Sequence, residues 1–130
     1  KLEKKQNQPL IDINHLLDQF PQVSNRGIVQ LIPKKLYLDW FNYVTDDGRD
    51  YSIDNLEPIS FLIHDFDTRM EFENWLEYNY HLLFEIRLNY SCADKSQWPE
   101  TRTFPVFSSW FVIYHSSMIL DLMLEPIKMI

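Results

Sequence analysis

Over residues 68–90 the chain reads TRMEFENWLEYNYHLLFEIRLNY, and apolar side chains return every three or four positions. Phe72, Trp75, Leu76, Leu83, Ile86 and Tyr90, with Asn79 among them, fall on one stripe of an α-helix. A helix of this length with one apolar stripe has to bury it against a second layer. Its start is marked too. Thr68 followed by Glu71 fits a capping box, and Asp65 and Asp67 put negative charge at the positive end of the helix dipole.

The second layer is supplied by short β-branched runs. GIVQLIP predicts a strand at 28–32 and ISFLIHDF another at 59–64. KKLYLDWFNYV lies between them, with Leu36, Tyr37, Trp40, Phe41 and Val44 at helical spacing and Pro33 at the start. Strand, helix and strand over this length fit a right-handed crossover between parallel strands. After the long helix, Pro105 suits the first turn of a short helix at 103–110, and a strand is expected over 111–122. Along it, Val112, Tyr114, Ser116, Met118, Leu120 and Leu122 make the face expected to be buried. The expected fold is α+β: a mostly three-stranded sheet in β-α-β-α-α-β order with helices packed on it. Trp75, Leu76, Leu83 and Ile86 should face the sheet.

Before this domain, PLIDINHLLDQF places Leu10, Ile13, Leu16, Leu17 and Phe20 on one stripe between Pro9 and Pro21. The expected organisation is a tail, short amphipathic helix and linker over 1–27, then a single domain over 28–130. The chain opens on Lys1 rather than Met, the sign of a trimmed or processed end, and no basic-then-apolar leader follows. The apolar run 111–130 is interrupted by His115, Asp121, Glu125 and Lys128, a poor membrane span. One cysteine, Cys92, allows no internal disulfide, which points to a reducing, cytoplasmic setting.

The net charge of −7 is concentrated. Residues 28–90 carry 5 basic against 12 acidic side chains. A basic face for a phosphate backbone is missing, which argues against nucleic acid as a partner. Solubility alone accounts for an acidic surface; so does steering toward a basic protein.

Each motif that suggests chemistry has a plainer reading beside it. His115, Ser116 and Ser117 invite a nucleophile, yet neighbours on a strand diverge, and two glycines in the whole chain leave no Gly-x-Ser-x-Gly elbow. His64, Asp65 and Asp67, at the end of a strand and the start of a helix, invite a metal. No second His-Asp pair completes the ligand set, and helix capping explains both carboxylates. Asp46, Asp47, Gly48, Arg49 and Asp50 fail the spacing of a calcium loop and read as a turn. No phosphate-cradling or dinucleotide motif appears, so no cofactor is expected. Tyr37, Trp40, Tyr43 and Tyr78 remain, and beside the acidic residues they form a candidate partner-binding face.

Ser96-x-Trp98-Pro99, Arg102-Thr103-Phe104, Phe107, Trp110-Phe111 and Ser117-Met118-x-x-Asp121, with IPKKLYLDWFNYV and FLIHDFDTRMEFENWLEYNYHLLFE before them, resemble a family of small acidic bacterial proteins of unknown function. The resemblance covers about residues 28–122. In that pattern a His precedes the Ser-Met pair; here the position is Ser116, and His115 stands one place earlier. The resemblance implies an α+β domain and no activity. The expected function is a protein-interaction or inhibitor/immunity-type module without catalysis, binding a protein partner or pairing as a homodimer. The alternative is a hydrolase or metal-dependent enzyme built on His64, Asp65, Asp67 or His115.

Overall fold

A computed structural model describes residues 25–123 and 125–130. The apolar stripe between Leu10 and Phe20 therefore lies outside the described residues. Three strands, β1 (Arg26–Pro33), β2 (Ile59–His64) and β3 (Phe111–Ser116), form one sheet in the order β2-β1-β3. Among the described residues three α-helices, α1 (Lys35–Thr45), α2 (Arg69–Ser91) and α3 (Phe104–Trp110), complete the expected α+β fold. Strand β1 already includes Arg26 and Gly27, two residues ahead of the expected strand start at 28.

The parallel crossover is a correction. Both pairings are antiparallel, with Leu31 opposite Ile59 and Gly27 opposite Ile63. Helix α1 carries the chain about 16 Å from the end of β1. The segment 46–58 then brings it back to that same end, so β2 starts beside the finish of β1. Asn42 holds this return against α1. Its Oδ1 accepts from the Tyr51 amide (2.9 Å), and its Nδ2 donates to the Tyr51 carbonyl (3.1 Å).

Strand β3 is shorter than expected and shows the opposite face to the core. Phe111 is buried and Ile113 and His115 are half-buried, whereas Val112, Tyr114, Met118 and Leu120 are exposed. Both faces of this segment are apolar, so alternation alone does not orient it. Helix α3 runs straight into the strand and seats Phe111 against Tyr37, Phe84 and Phe107, which fixes the register. The strand ends where the Ser116 hydroxyl accepts from the Met118 amide (3.2 Å).

Helix α2 starts at Thr68, whose Oγ1 accepts from the Glu71 amide (3.2 Å) and donates to its carboxylate (3.2 Å). The buried positions are Phe72, Leu76, Leu83, Phe84 and Leu88; Trp75 is partly buried, and Ile86 and Tyr90 are exposed. The stripe swings around the helix. Its first half faces the sheet, while the second half meets α1, where Tyr37 reaches Ser91 and Arg87. A straight 3,4 repeat drawn through Ile86 misses this turn.

The core is one cluster rich in aromatic rings. Tyr37, Phe84, Phe107 and Phe111 are fully buried and sit with ring centroids 5.2–5.7 Å apart in successive contacts. Such pairs prefer tilted and edge-on geometry, as found here. Trp98 is also buried, its Nε1 donating to the Cys92 carbonyl (2.8 Å). The aromatic stretch from Trp98 to Phe111 thus contributes Trp98, Phe107 and Phe111 to the core.

Candidate functional site

His115 and Asp65 are brought together at the end of the sheet near the start of α2. His115 faces the helices from β3, beside Val29 of β1. Its ring lies flat on Phe72, with centroids 3.9 Å apart and planes 8° from parallel. Its Nε2 sits over Gly27, 3.5 Å from where a Cβ would be. Both Nε2 of His115 and Oδ1 of Asp65 are buried without a hydrogen-bond partner. Burial holds the imidazole below its ordinary pKa; the Arg69 guanidinium pushes the same way and the Asp65 carboxylate opposes.

The other two members of the predicted chemical site stay apart from this pair. His64 has the strand parity opposite to Ile63, is exposed, and packs edge-on against Phe66 (5.2 Å). Asp67 is exposed in the turn, and the helix cap is Thr68 rather than either aspartate. Among the described residues no group of three His, Cys, Asp or Glu side chains could hold a metal ion. A hollow of about 340 Å³ opens nearby, lined by Arg69, Phe72, Leu76, Phe104 and Ile113 with Glu73 and Glu77. Neither His115 nor Asp65 lines it. General acid–base work needs the titrating atom within reach of substrate, and of the two ring nitrogens of His115 Nε2 is buried, close to Gly27.

Within the acidic turn Asp47 is engaged locally. Asp47 accepts from the Arg49 amide (3.0 Å) and the Tyr51 hydroxyl (2.5 Å) and pairs with the Arg49 side chain (3.3 Å). These bonds, the tyrosine's first, lower the Asp47 pKa and raise that of Tyr51. Asp46 closes α1 in the left-handed region (φ 42°), and Gly48 follows at φ 82°.

The predicted aromatic face divides. Tyr37 is a correction: it is wholly buried, its hydroxyl bonded to Ser91 Oγ and to the Arg87 carbonyl, and burial raises its pKa. Trp40 is half-buried and donates to the Gln97 carbonyl (2.8 Å). Tyr43 and Tyr78 are exposed.

Sequence reasoning missed a cleft of about 600 Å³ between α1, the second half of α2 and the segment leading into β2. Phe41, Leu56, Ile59 and Tyr90 give it apolar walls, and Arg87, Glu57 and Ser91 add polar ones. Arg87 lies over the Tyr37 ring (4.8 Å) and donates from Nη2 to the Glu57 carbonyl (3.0 Å), which fixes the cleft's floor. Segment 46–58, with Asp46, Asp47, Asp50, Asp54 and Glu57 against Arg49, runs into this wall. Tyr90, exposed at the end of an apolar stripe, is the one signal that could have pointed here.

No protein-family model, no curated protein sequence and no solved structure matches the chain. No described helix is long and apolar enough to cross a membrane.

Proposed function

We propose that this chain is a small protein-interaction module of inhibitor or immunity type, acting without catalysis in the cytoplasm on a basic protein partner. The observation that supports it is the cleft beside Tyr90: an apolar hollow whose wall continues into a segment of five acidic side chains and one basic one. Such a site takes an apolar side chain into the hollow while the acidic rim attracts surrounding lysines and arginines. A rim of this kind speeds encounter and makes it sensitive to salt. The single unpaired cysteine agrees with the cytoplasmic part of this reading. The test is capture from cells of the source organism with the full chain as bait, at low and high salt, beside a Tyr90→Ala bait. A specific partner that is lost at high salt and weakened by Tyr90→Ala supports the reading. Background alone under both conditions refutes it.

One observation favours the rival enzyme reading, the nearness of Asp65 to His115. A hydrolase using that pair would lose turnover in His115→Asn, and a screen of ester, phosphoester and amide substrates would reveal it.

A further inference from the structure

Residues 28–90 hold 5 cations beside 12 carboxylates, and three of the five cations are paired with near neighbours in sequence. Lys35 meets Asp39, Arg49 meets Asp47 and Arg69 meets Glu73. Lys34 is exposed and reaches the Ser108 carbonyl (3.5 Å). Arg87 differs from all four. It is half-buried, lies over the Tyr37 ring and lines the cleft, yet among the described residues no carboxylate pairs with it. Glu57 gives Nη2 its carbonyl rather than its carboxylate, and Nε is buried with no partner. Nη1 makes no bond to the described residues. An arginine charge partly withdrawn from water in this way calls for an anion. Around it, Tyr90 and Ser91 share its face of α2 at i+3 and i+4, and Phe41, Leu56 and Ile59 supply apolar walls. Farther out, Asp50, Asp54 and Glu57 expose their carboxylates along segment 46–58. The order from inside to outside is therefore cation, apolar wall, acidic rim.

We infer, on the footing that this cleft is the partner site proposed above, that it captures the free C-terminus of the partner protein. The terminal carboxylate takes the Arg87 guanidinium, a charge-assisted pairing that arginine geometry favours. The last side chain is apolar and lies against Phe41, Leu56, Ile59 and Tyr90. Lysines or arginines just upstream meet Asp50, Asp54 and Glu57. Charge complementarity selects this occupant. A C-terminal residue carries a carboxylate and an apolar side chain on the same residue, which the inner part of the cleft requires. An internal aspartate or glutamate brings the charge without the apolar body. A strongly acidic segment would meet the acidic rim and be repelled. The volume of about 600 Å³ lies within the roughly 300–1,000 Å³ of clefts that take a ligand group.

The test is fluorescence anisotropy on the full chain with N-terminally labelled peptides Lys-Lys-Ser-Lys-Leu, Lys-Lys-Ser-Lys-Phe and Lys-Lys-Ser-Lys-Trp. Each is used as the free acid and as the C-terminal amide. At least one free acid should bind, about tenfold or more tighter than its amide. The comparison is stringent, because the amide is the more positive peptide and the acidic chain attracts it more strongly at long range. Arg87→Gln, its fold checked by circular dichroism, should bring the free acid down to the amide's affinity. Tyr90→Ala should weaken acid and amide alike. The acid–amide comparison on the parent needs no variant, so it decides the matter even if Arg87→Gln fails to fold. Equal binding of acid and amide would overturn the inference, as would no binding by any of the peptides. N-acetyl-leucine binding as tightly as the leucine peptide would also overturn it, because the site would then take small carboxylates. In the capture experiment above, a partner weakened by Tyr90→Ala but fully kept by Arg87→Gln would sink this inference and leave the wider reading standing. Background alone in that experiment would sink both.

Discussion

The two ends of the helix-covered sheet face are built by different rules. At the α1–α3 end, Tyr37, Phe84, Phe107 and Phe111 are fully buried, and most polar tips among the surrounding groups are matched, with Arg87 Nε over the Tyr37 ring a buried exception. Tyr37 meets Ser91, Trp40 the Gln97 carbonyl, Tyr80 the Arg102 carbonyl and Trp98 the Cys92 carbonyl. At the other end His115 and Asp65 bring polar atoms into the interior and leave Nε2 and Oδ1 unmatched. The first arrangement supplies stability. The second costs some, because a buried polar group without a partner loses its hydration and gains nothing for it. A polar cluster near a helix start is therefore weak evidence of chemistry until its atoms are shown to be reachable.

The largest effect should come from the aromatic end. Phe84→Ala removes a fully buried ring and should destabilise by about 3–5 kcal/mol in denaturant unfolding. A loss below about 1 kcal/mol would mean the ring stack is not the stability centre. Next, Tyr37→Phe keeps the ring and removes the hydroxyl shared with Ser91 and Arg87; about 1 kcal/mol should go. At the polar end the sign should reverse. His115→Phe keeps a ring over Phe72 and deletes the unmatched nitrogen, so stability should hold or rise by up to about 1 kcal/mol.

The same residue sets a pH dependence. The folded imidazole resists protonation, whereas the unfolded chain takes up its proton below about 6.5. His115's contribution is intact above that value and is lost as pH falls toward the lower folded pKa. His115→Phe should flatten that part of the stability–pH curve, and an unchanged slope would assign it to another group. The smallest effect should be Tyr78→Ala, an exposed change expected within about 0.5 kcal/mol in the same unfolding assay.

Much of this architecture is legible in the sequence, because local rules decided it. Thr68 starts its helix as the spacing to Glu71 implies, Pro105 sits in the first turn of α3, and β2 spans the expected residues. What failed depended on contacts distant in the chain. The direction of β2 follows from the return of segment 46–58, which no periodicity records. The inward face of β3 follows from Phe111 meeting Phe84 and Tyr37, while Val112 and Tyr114 look equally apolar on paper. Tyr37 reads like Tyr43, six residues on, yet one is core and the other is surface. The cleft escaped for the same reason: Phe41, Leu56, Ile59, Arg87 and Tyr90 come from three separate stretches.

The proposed binding surface and the polar interior can be separated in one comparison. Two variants of the full chain, His115→Phe and the triple change Asp50→Lys, Asp54→Lys, Glu57→Lys, would serve as baits for capture from the source organism beside the parent. The His64 and Asp65 side chains stay as they are in both, and circular dichroism confirms that each variant is folded. The acidic-rimmed cleft as binding site predicts that His115→Phe retains the parent's partner and the triple variant loses it. Retention by the triple variant with loss in His115→Phe would contradict the account and put function at the polar end of the sheet.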